Sequence, residues 1–292
     1  MSGQLRALKN RIRSVESTKK ITRAMEMVAA AKLHRYQDLM SKGRAYANGL
    51  ENLLRRAGGC VSESTKEAPP HPFLQQREEK KVGLVLFASD TGLCGSYNTD
   101  LIACALRFLE TRQEPVLPLG VGKNGIKALR RRGYSVHTAF QDIRISQMEK
   151  VLSDLKSLLE KLYLSGEVDA IYVVYNHAVS VVNYKTVTQK LLPLEKPEAG
   201  TASGTDEVYI FEPSEKIILD RLIPLFFESK TRQIFLEAFV TEQMARMRAM
   251  HQATENASDM IKALVLQRNK ARQAAITKEI IEIVSGSQAL KS

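Results

Sequence analysis

The sequence predicts an α/β protein: a long antiparallel coiled coil of N- and C-terminal helices, with a central α/β domain of mostly parallel sheet. Three observations predict it. Both ends carry apolar residues three and four apart over tens of positions. The middle alternates short β-branched runs with amphipathic stretches. The textures change at segments rich in Gly, Pro, Ser and charge.

The first segment covers residues 1–57. Leu5, Leu8, Ile12 and Val15 fall on one helical stripe. Ile21, Met25 and Val28 resume it after a six-residue step, read as a slip of the kind irregular coiled coils tolerate. A helix of this span is roughly 80 Å long, too long to lie inside a domain of this size. "AGGCVSESTKEAPPHPFLQQREEKK" then reads as a linker, placed at 58–80.

Residues 81–193 form the central domain. "VGLVLFAS", "PVLPLG" and "YSVHTAF" read as strands separated by the helices "YNTDLIACALRFLETR" and "GIKALRRRG". "ISQMEKVLSDLKSLLEKLYLSGE" reads as a helix, and "VDAIYVVYNHAVSVVNYKTVTQKLL" as two strands joined near Asn176–Ser180. Alternation of this kind implies a Rossmann-like sheet covered on both faces. A second linker at 194–207 leads to the C-terminal segment, 208–292, mostly helix. Pro224 is expected to kink or break it. Beyond it, Met250, Thr254, Ala257, Ile261, Leu264, Arg268, Ala271 and Ala275 keep a 4–3 spacing. Ile276, Ile280 and Ile283 make a stripe near the end, and Gly286 is the expected stop. Each stripe needs burial, and the other terminal helix is the nearest partner.

The composition excludes several classes. With 44% hydrophobic and 26% charged residues, the 292-residue chain is neither disordered nor built of membrane spans. Its start lacks the apolar core of a signal peptide. Cys60, Cys94 and Cys104 show no CxxC spacing, and the odd count suits a reducing compartment. Residues 1–57 hold thirteen Lys/Arg against four Asp/Glu, nine of the net eleven positive charges. Such a segment suits nucleic acid, anionic membrane or an acidic protein surface.

Two loops carry enzyme-like patterns. "GVGKNG" fits G-x-G-x-x-G through Gly120, Gly122 and Gly125, after a strand and before a helix, with Asp142 further on. It supports the alternative reading, a dinucleotide-binding oxidoreductase. Against that, the helix is only about two turns, the motif follows the second strand, and Asp142 lies past the next strand's tip. "SDTGLCGSYN" lacks both G-x-S-x-G and GK[ST]. Nothing in the sequence ties His137 or His177 to Cys94 as a base. His34, His71 and His251 have no metal-ligand spacing. The basic N-terminal residues lack interleaved aromatics for base stacking. No catalytic residue, cofactor or metal is expected.

"KNRIRSVESTKKITRAMEMVAAAKLHR" near the start and "NKARQAAITKEIIEIVSGSQAL" at the end resemble the gamma subunit of F-type rotary ATP synthases. "SDTGLCGSYN" is similar to that family's SDRGLCGGLN, with Thr91 for Arg and with Ser96 and Tyr97 departing. The resemblance runs from Leu5 to Leu290. It implies a non-catalytic rotor shaft, one copy per complex, that turns inside a ring of alpha and beta subunits. It also implies docking, with the epsilon subunit, on a membrane rotor ring of c subunits, so that proton or sodium flow is coupled to ATP synthesis.

By the same resemblance Met25, Arg246, Gln273, Thr277 and Glu282 are expected contacts with the alpha and beta subunits. Tyr209, Phe211 and Glu212 are expected contacts with the membrane ring. No nucleic acid and no direct membrane insertion are implied. Without a chloroplast-type insert or a transit peptide, the expected location is the cytoplasmic face of a bacterial inner membrane, as a peripheral protein.

Overall fold

The structure, a computed structural model, describes residues 2–64, 71–180, 183–195, 212 and 214–289. It divides into two compact units, Met1–Ala31 with Arg246–Ser292, and Lys32–Ala245. The division falls inside both long helices, α1 (Ser2–Ser64) and the last helix, α5 (Glu215–Ala289).

Lys32–Ala245 is the α/β unit. After α1 come β1 (Val82–Phe87), α2 (Tyr97–Thr111), β2 (Val116–Val121), α3 (Lys123–Arg131), β3 (Thr138–Phe140), α4 (Met148–Leu164), β4 (Ala170–Ala178) and β5 (Tyr184–Leu192). The sheet order is β3-β2-β1-β4-β5, parallel except for the antiparallel β4–β5 pair. β1 lies in the middle and is buried along its whole length, as a strand covered on both faces must be. Its alternation sorts the two layers. Leu84 and Leu86 pack with Leu101, Ala105 and Leu129 of α2 and α3. Val85 and Phe87 face Leu155 and Leu159 of α4 and Ile234 of α5.

Several boundaries differ from the sequence reading. α1 continues to Ser64 through the Gly58–Gly59 pair, since glycine costs a helix only about 1 kcal/mol and does not stop it. α5 likewise passes Gly286. Pro224 leaves α5 uninterrupted; the carbonyl deprived of its donor belongs to Asp220, an exposed residue whose backbone water can reach. The third strand is only Thr138–Phe140, because pairing with β2 covers just Leu119–Val121. The β4–β5 connection lies between Ala178 and Tyr184, close to the expected Asn176–Ser180.

The coiled-coil unit shows a deeper difference. The positions that turn inward on α1 are 5, 8, 12, 15, 19, 22, 26 and 29, an unbroken alternation of three and four. There is no slip after Val15. The seam runs on through Lys19, Thr22 and Glu26, whose polarity hides it from a hydrophobicity pattern. Ile21 and Val28 are exposed on one flank, and Ala29 at 1% exposure is the packed residue. On α5 the expected 4–3 series holds: Met250, Thr254, Ala257 and Leu264 are buried, and 261, 268, 271 and 275 are half-buried.

One cluster ties the residues ahead of β1 to the sheet. Glu79 accepts hydrogen bonds from Arg112 at 2.5 Å, Lys190 at 2.7 Å and Tyr172 Oη at 2.9 Å. Arg112 also stacks over the rings of Phe108 and Tyr172. Burial opposes the charge on Glu79, but the bonds from Lys190, Arg112 and Tyr172 outweigh it and hold the carboxyl down at about 2. A carboxyl lowered on folding contributes stability above its unfolded value, near 4.5, and loses it as pH falls toward 2. Denaturant unfolding between those values should therefore show stability dropping with pH. In Glu79→Gln that acid limb should flatten and stability at neutral pH should be lower; an unchanged limb would remove Glu79 as its source.

Candidate functional site

Two regions hold the residues singled out from sequence: the loops at the carboxyl end of the sheet, and the surface of the coiled-coil unit.

In an open parallel sheet, ligands bind beyond the strand ends where the strand order reverses. Here that point lies between β1 and β4. The crevice is filled by α5. Tyr97 Oη donates to the Ala238 carbonyl at 2.9 Å, and Thr241 Oγ1 lies 3.2 Å from the Asn176 carbonyl. Glu237, 6% exposed, accepts the Ala178 backbone N–H at 3.0 Å and lies 2.9 Å from His177 Nδ1.

The anion-binding capacity of "GVGKNG" is spent in the same way. Lys123 N donates to Asp90 Oδ1 at 3.0 Å and Asn124 N to the Ser89 carbonyl at 3.1 Å. Asp90 Oδ2 accepts from Ile143 N. A carboxylate of the chain itself therefore stands where a pyrophosphate would sit. Packing explains the glycines. At Gly122 (φ +91) a Cβ would lie 2.0 Å from the Ala88 carbonyl oxygen, and at Gly125 one would meet Ala88 Cβ at 2.8 Å. The dinucleotide reading loses its binding surface.

"SDTGLCGSYN" is a structural knot. Ser89, fully buried, receives Asn98 Nδ2 at 2.7 Å and Asn124 Nδ2 at 3.2 Å on its hydroxyl, and its amide donates to Asn98 Oδ1. Cys94 is buried with Asn98 Nδ2 3.2 Å from its sulfur. Among the described residues no cluster of His, Cys, Asp or Glu could hold a metal.

The coiled-coil unit is antiparallel, with α1 and α5 meeting through polar layers. Thr22 Oγ1 and Thr254 Oγ1 lie 2.8 Å apart, and each hydroxyl also reaches a carbonyl of its own helix, Lys19 at 3.0 Å and Met250 at 2.8 Å. One turn along α1, Glu26 Oε1 lies 3.0 Å from His251 Nδ1, one turn back along α5. The His251 ring stands between Glu26 and Glu255, whose Oε1 is 3.5 Å from Nε2. Toward the start of α1, Gln4, Ala7, Leu8 and Arg11 share an open groove of about 680 Å³ with Gln267, Lys270, Ala271 and Ala274.

The sequence-selected residues are distributed over this unit as follows. Met25 is half-buried beside the seam, and Met27 points outward at 66% exposure. Arg246 is buried at 7% exposure, so it offers far less surface than Met25. Gln273, Thr277 and Glu282 are exposed. At 100° per residue Gln273 and Thr277 share a face, whereas Glu282 lies about 180° from Gln273, on the continuation of the seam. Glu282 is 3.7 Å from Lys278.

Ile276, Ile280 and Ile283 are not buried against α1. They are 48%, 56% and 67% exposed, because the antiparallel register brings the first residues of α1 only to about Ala274, and every described position from 276 to 285 is exposed. With Ile281 and Val284 they make an exposed apolar arc about 160° wide. Glu212 is exposed; Tyr209 and Phe211 lie outside the described residues. Sequence reasoning missed Thr22, Glu26 and Glu237. Only the 4–3 count, carried through polar residues, could have pointed to the first two.

The ATP synthase family model matches residues 4–290. The chain is 39% identical over 306 residues to the ATP synthase gamma chain of Chloroherpeton thalassium, covering 98% of each. It is 40% identical over 287 residues to that of Moorella thermoacetica, covering 98% of this chain and 99% of the other. In fold it is similar to a chain of the Euglena gracilis mitochondrial ATP synthase OSCP/F1/c-ring structure, with TM-score 0.64, 15% identity and coverage of 99% and 95%. A chain of the Tetrahymena thermophila mitochondrial ATP synthase central stalk/c-ring structure matches with TM-score 0.56, 22% identity and coverage of 80% and 99%.

The Thr22–Thr254 layer can be weighed directly. A double-mutant cycle through Thr22→Val and Thr254→Val, read by denaturant unfolding, should give a coupling of about 0.5–1.5 kcal/mol. The double variant should be at least as stable as the original, since two methyl groups then replace a buried hydroxyl pair. Zero coupling would mean the hydroxyls do not hold the seam.

Proposed function

This chain belongs to the family of ATP synthase gamma chains, and we propose that it works as the central rotor shaft of a proton- or sodium-translocating complex. It is a subunit of an ATP synthase, and its own part is mechanical rather than catalytic. In this reading an ion-driven ring of c subunits turns the chain. The coiled coil turns inside the hexamer of alpha and beta subunits and carries each catalytic subunit through its open and closed states.

The observation that carries the reading is the coiled-coil surface. A shaft enclosed by other subunits must be held together along a narrow seam and present a different face in each direction. Here the seam is polar at Thr22–Thr254 and Glu26–His251, while the last turns of α5, past the start of α1, bear an isoleucine arc that water does not favour. That arc suits an apolar collar formed by partner subunits. Met25 and Met27 offer soft, polarisable contacts that can be remade at each angle.

Met25, Arg246, Gln273, Thr277 and Glu282 are the proposed contacts with the alpha and beta subunits. Tyr209, Phe211 and Glu212 are those with the membrane ring, next to the epsilon subunit. Among the described residues no helix is long and apolar enough to cross a membrane. The proposed location is peripheral, at the cytoplasmic face of a bacterial inner membrane.

Reconstitution tests the whole reading. Alpha and beta subunits assembled with this chain should hydrolyse ATP cooperatively and, on the membrane sector, pump ions; equal coupling without it would end the shaft reading. Met25→Lys tests the proposed contact. A lysine there should grip partner carboxylates with about 1.5–3 kcal/mol in one angular position. The complex should still assemble while ions pumped per ATP hydrolysed fall severalfold. Unchanged coupling would remove Met25 from the contact set.

A further inference from the structure

The exposed side of α3 is made of cations. Gly125, Ile126 and Leu129 turn inward, and Gly125 lies against Leu86 and Ala88. Lys123, Lys127, Arg130 and Arg131 recur at i, i+4, i+7 and i+8, which places them on one face. With Gln141 they line an open groove of about 450 Å³.

Only one of the four has an acidic partner among the described residues: Lys123 Nζ is 2.6 Å from Asp142 Oδ1. Elsewhere in the same unit, Arg112, Lys156, Lys190 and Arg232 each reach a carboxylate. Like charges three and four apart on a helix repel one another. Arg130 and Arg131 recover some of this at the negative end of the helix dipole, but Lys127 does not. Among the described residues no carboxylate pairs with Lys127, Arg130 or Arg131, so part of this repulsion stays uncompensated.

We infer that this face is a docking surface for an acidic polypeptide segment of another subunit of the ATP synthase. The inference rests on the proposed assembly. Other anions fit less well. A nucleotide's phosphates want backbone amides, and those of Lys123 and Asn124 are already taken by Asp90 and Ser89. A bilayer wants an apolar helix face to insert, and that of α3 is packed on the sheet. Carboxylates on a chain need only the charges and the groove. From Lys123 to Arg131 the face runs about 12 Å, the reach of about four extended residues. The partner segment should therefore carry two or three Asp or Glu within about four positions.

Gln141 lines the groove without contributing charge, so a photoreactive benzoylphenylalanine at Gln141 leaves all four cations in place. In the purified complex, light should join it to a peptide of another subunit with that acidic pattern, identified by mass spectrometry. Raising salt from about 50 to about 500 mM, which shortens electrostatic reach severalfold, should cut the adduct about tenfold. The charge reversals Lys127→Glu, Arg130→Glu and Arg131→Glu together should cut it as much. An adduct to lipid, an adduct to a peptide without acidic residues, a salt-insensitive adduct, or no adduct in an intact complex would each overturn the inference while leaving the shaft reading standing. If no complex forms with the unaltered chain, the shaft reading itself fails.

Discussion

Everything in this fold depends on one helix meeting two different demands. Between Ile234 and Arg246 nearly every position of α5 is buried, whichever way it points. That is the behaviour of a helix set in a core. Past Met250 only every third or fourth residue is covered, the behaviour of a coiled-coil strand. No glycine or proline marks the change. It is made by what surrounds the helix, and the helical hydrogen bonds run through it unbroken.

In the α/β unit the core stretch of α5 takes a ligand's place. The crevice between β1 and β4 is where this kind of sheet binds small molecules. Glu237, Ala238 and Thr241 accept or approach the groups a ligand would have met, and Asp90 neutralises the start of α3 from inside. The crevice of this sheet is thus closed by the chain itself, and function must be read from the site rather than the topology.

In the coiled coil, Thr22 and Glu26 stand where Leu or Ile would pack best, and their partners are Thr254 and His251. Polar layers of this kind fix register, because any slip leaves a hydroxyl or carboxylate facing the wrong neighbour. They also hold less tightly than an apolar seam. Ile12, Met250 and Leu264 are buried in the same seam, while Ile21, Met27 and Val28 on α1 and Ile276, Ile280, Ile281 and Ile283 on α5 are exposed.

The order helix, α/β, helix, the mostly parallel sheet, the 4–3 series on α5 and the family are legible in the residues alone. These rest on local spacing and on motifs that survive without contacts. The tertiary structure alone decided which stripe is the seam. Hydrophobic periodicity follows side-chain polarity, whereas a seam is chosen by partners, and Thr22 becomes buried only because Thr254 lies opposite. It alone also decided that G-x-G-x-x-G is closed, because the carboxylate occupying the anion site comes from Asp90, thirty-three residues before Lys123 and beside it only in the folded sheet.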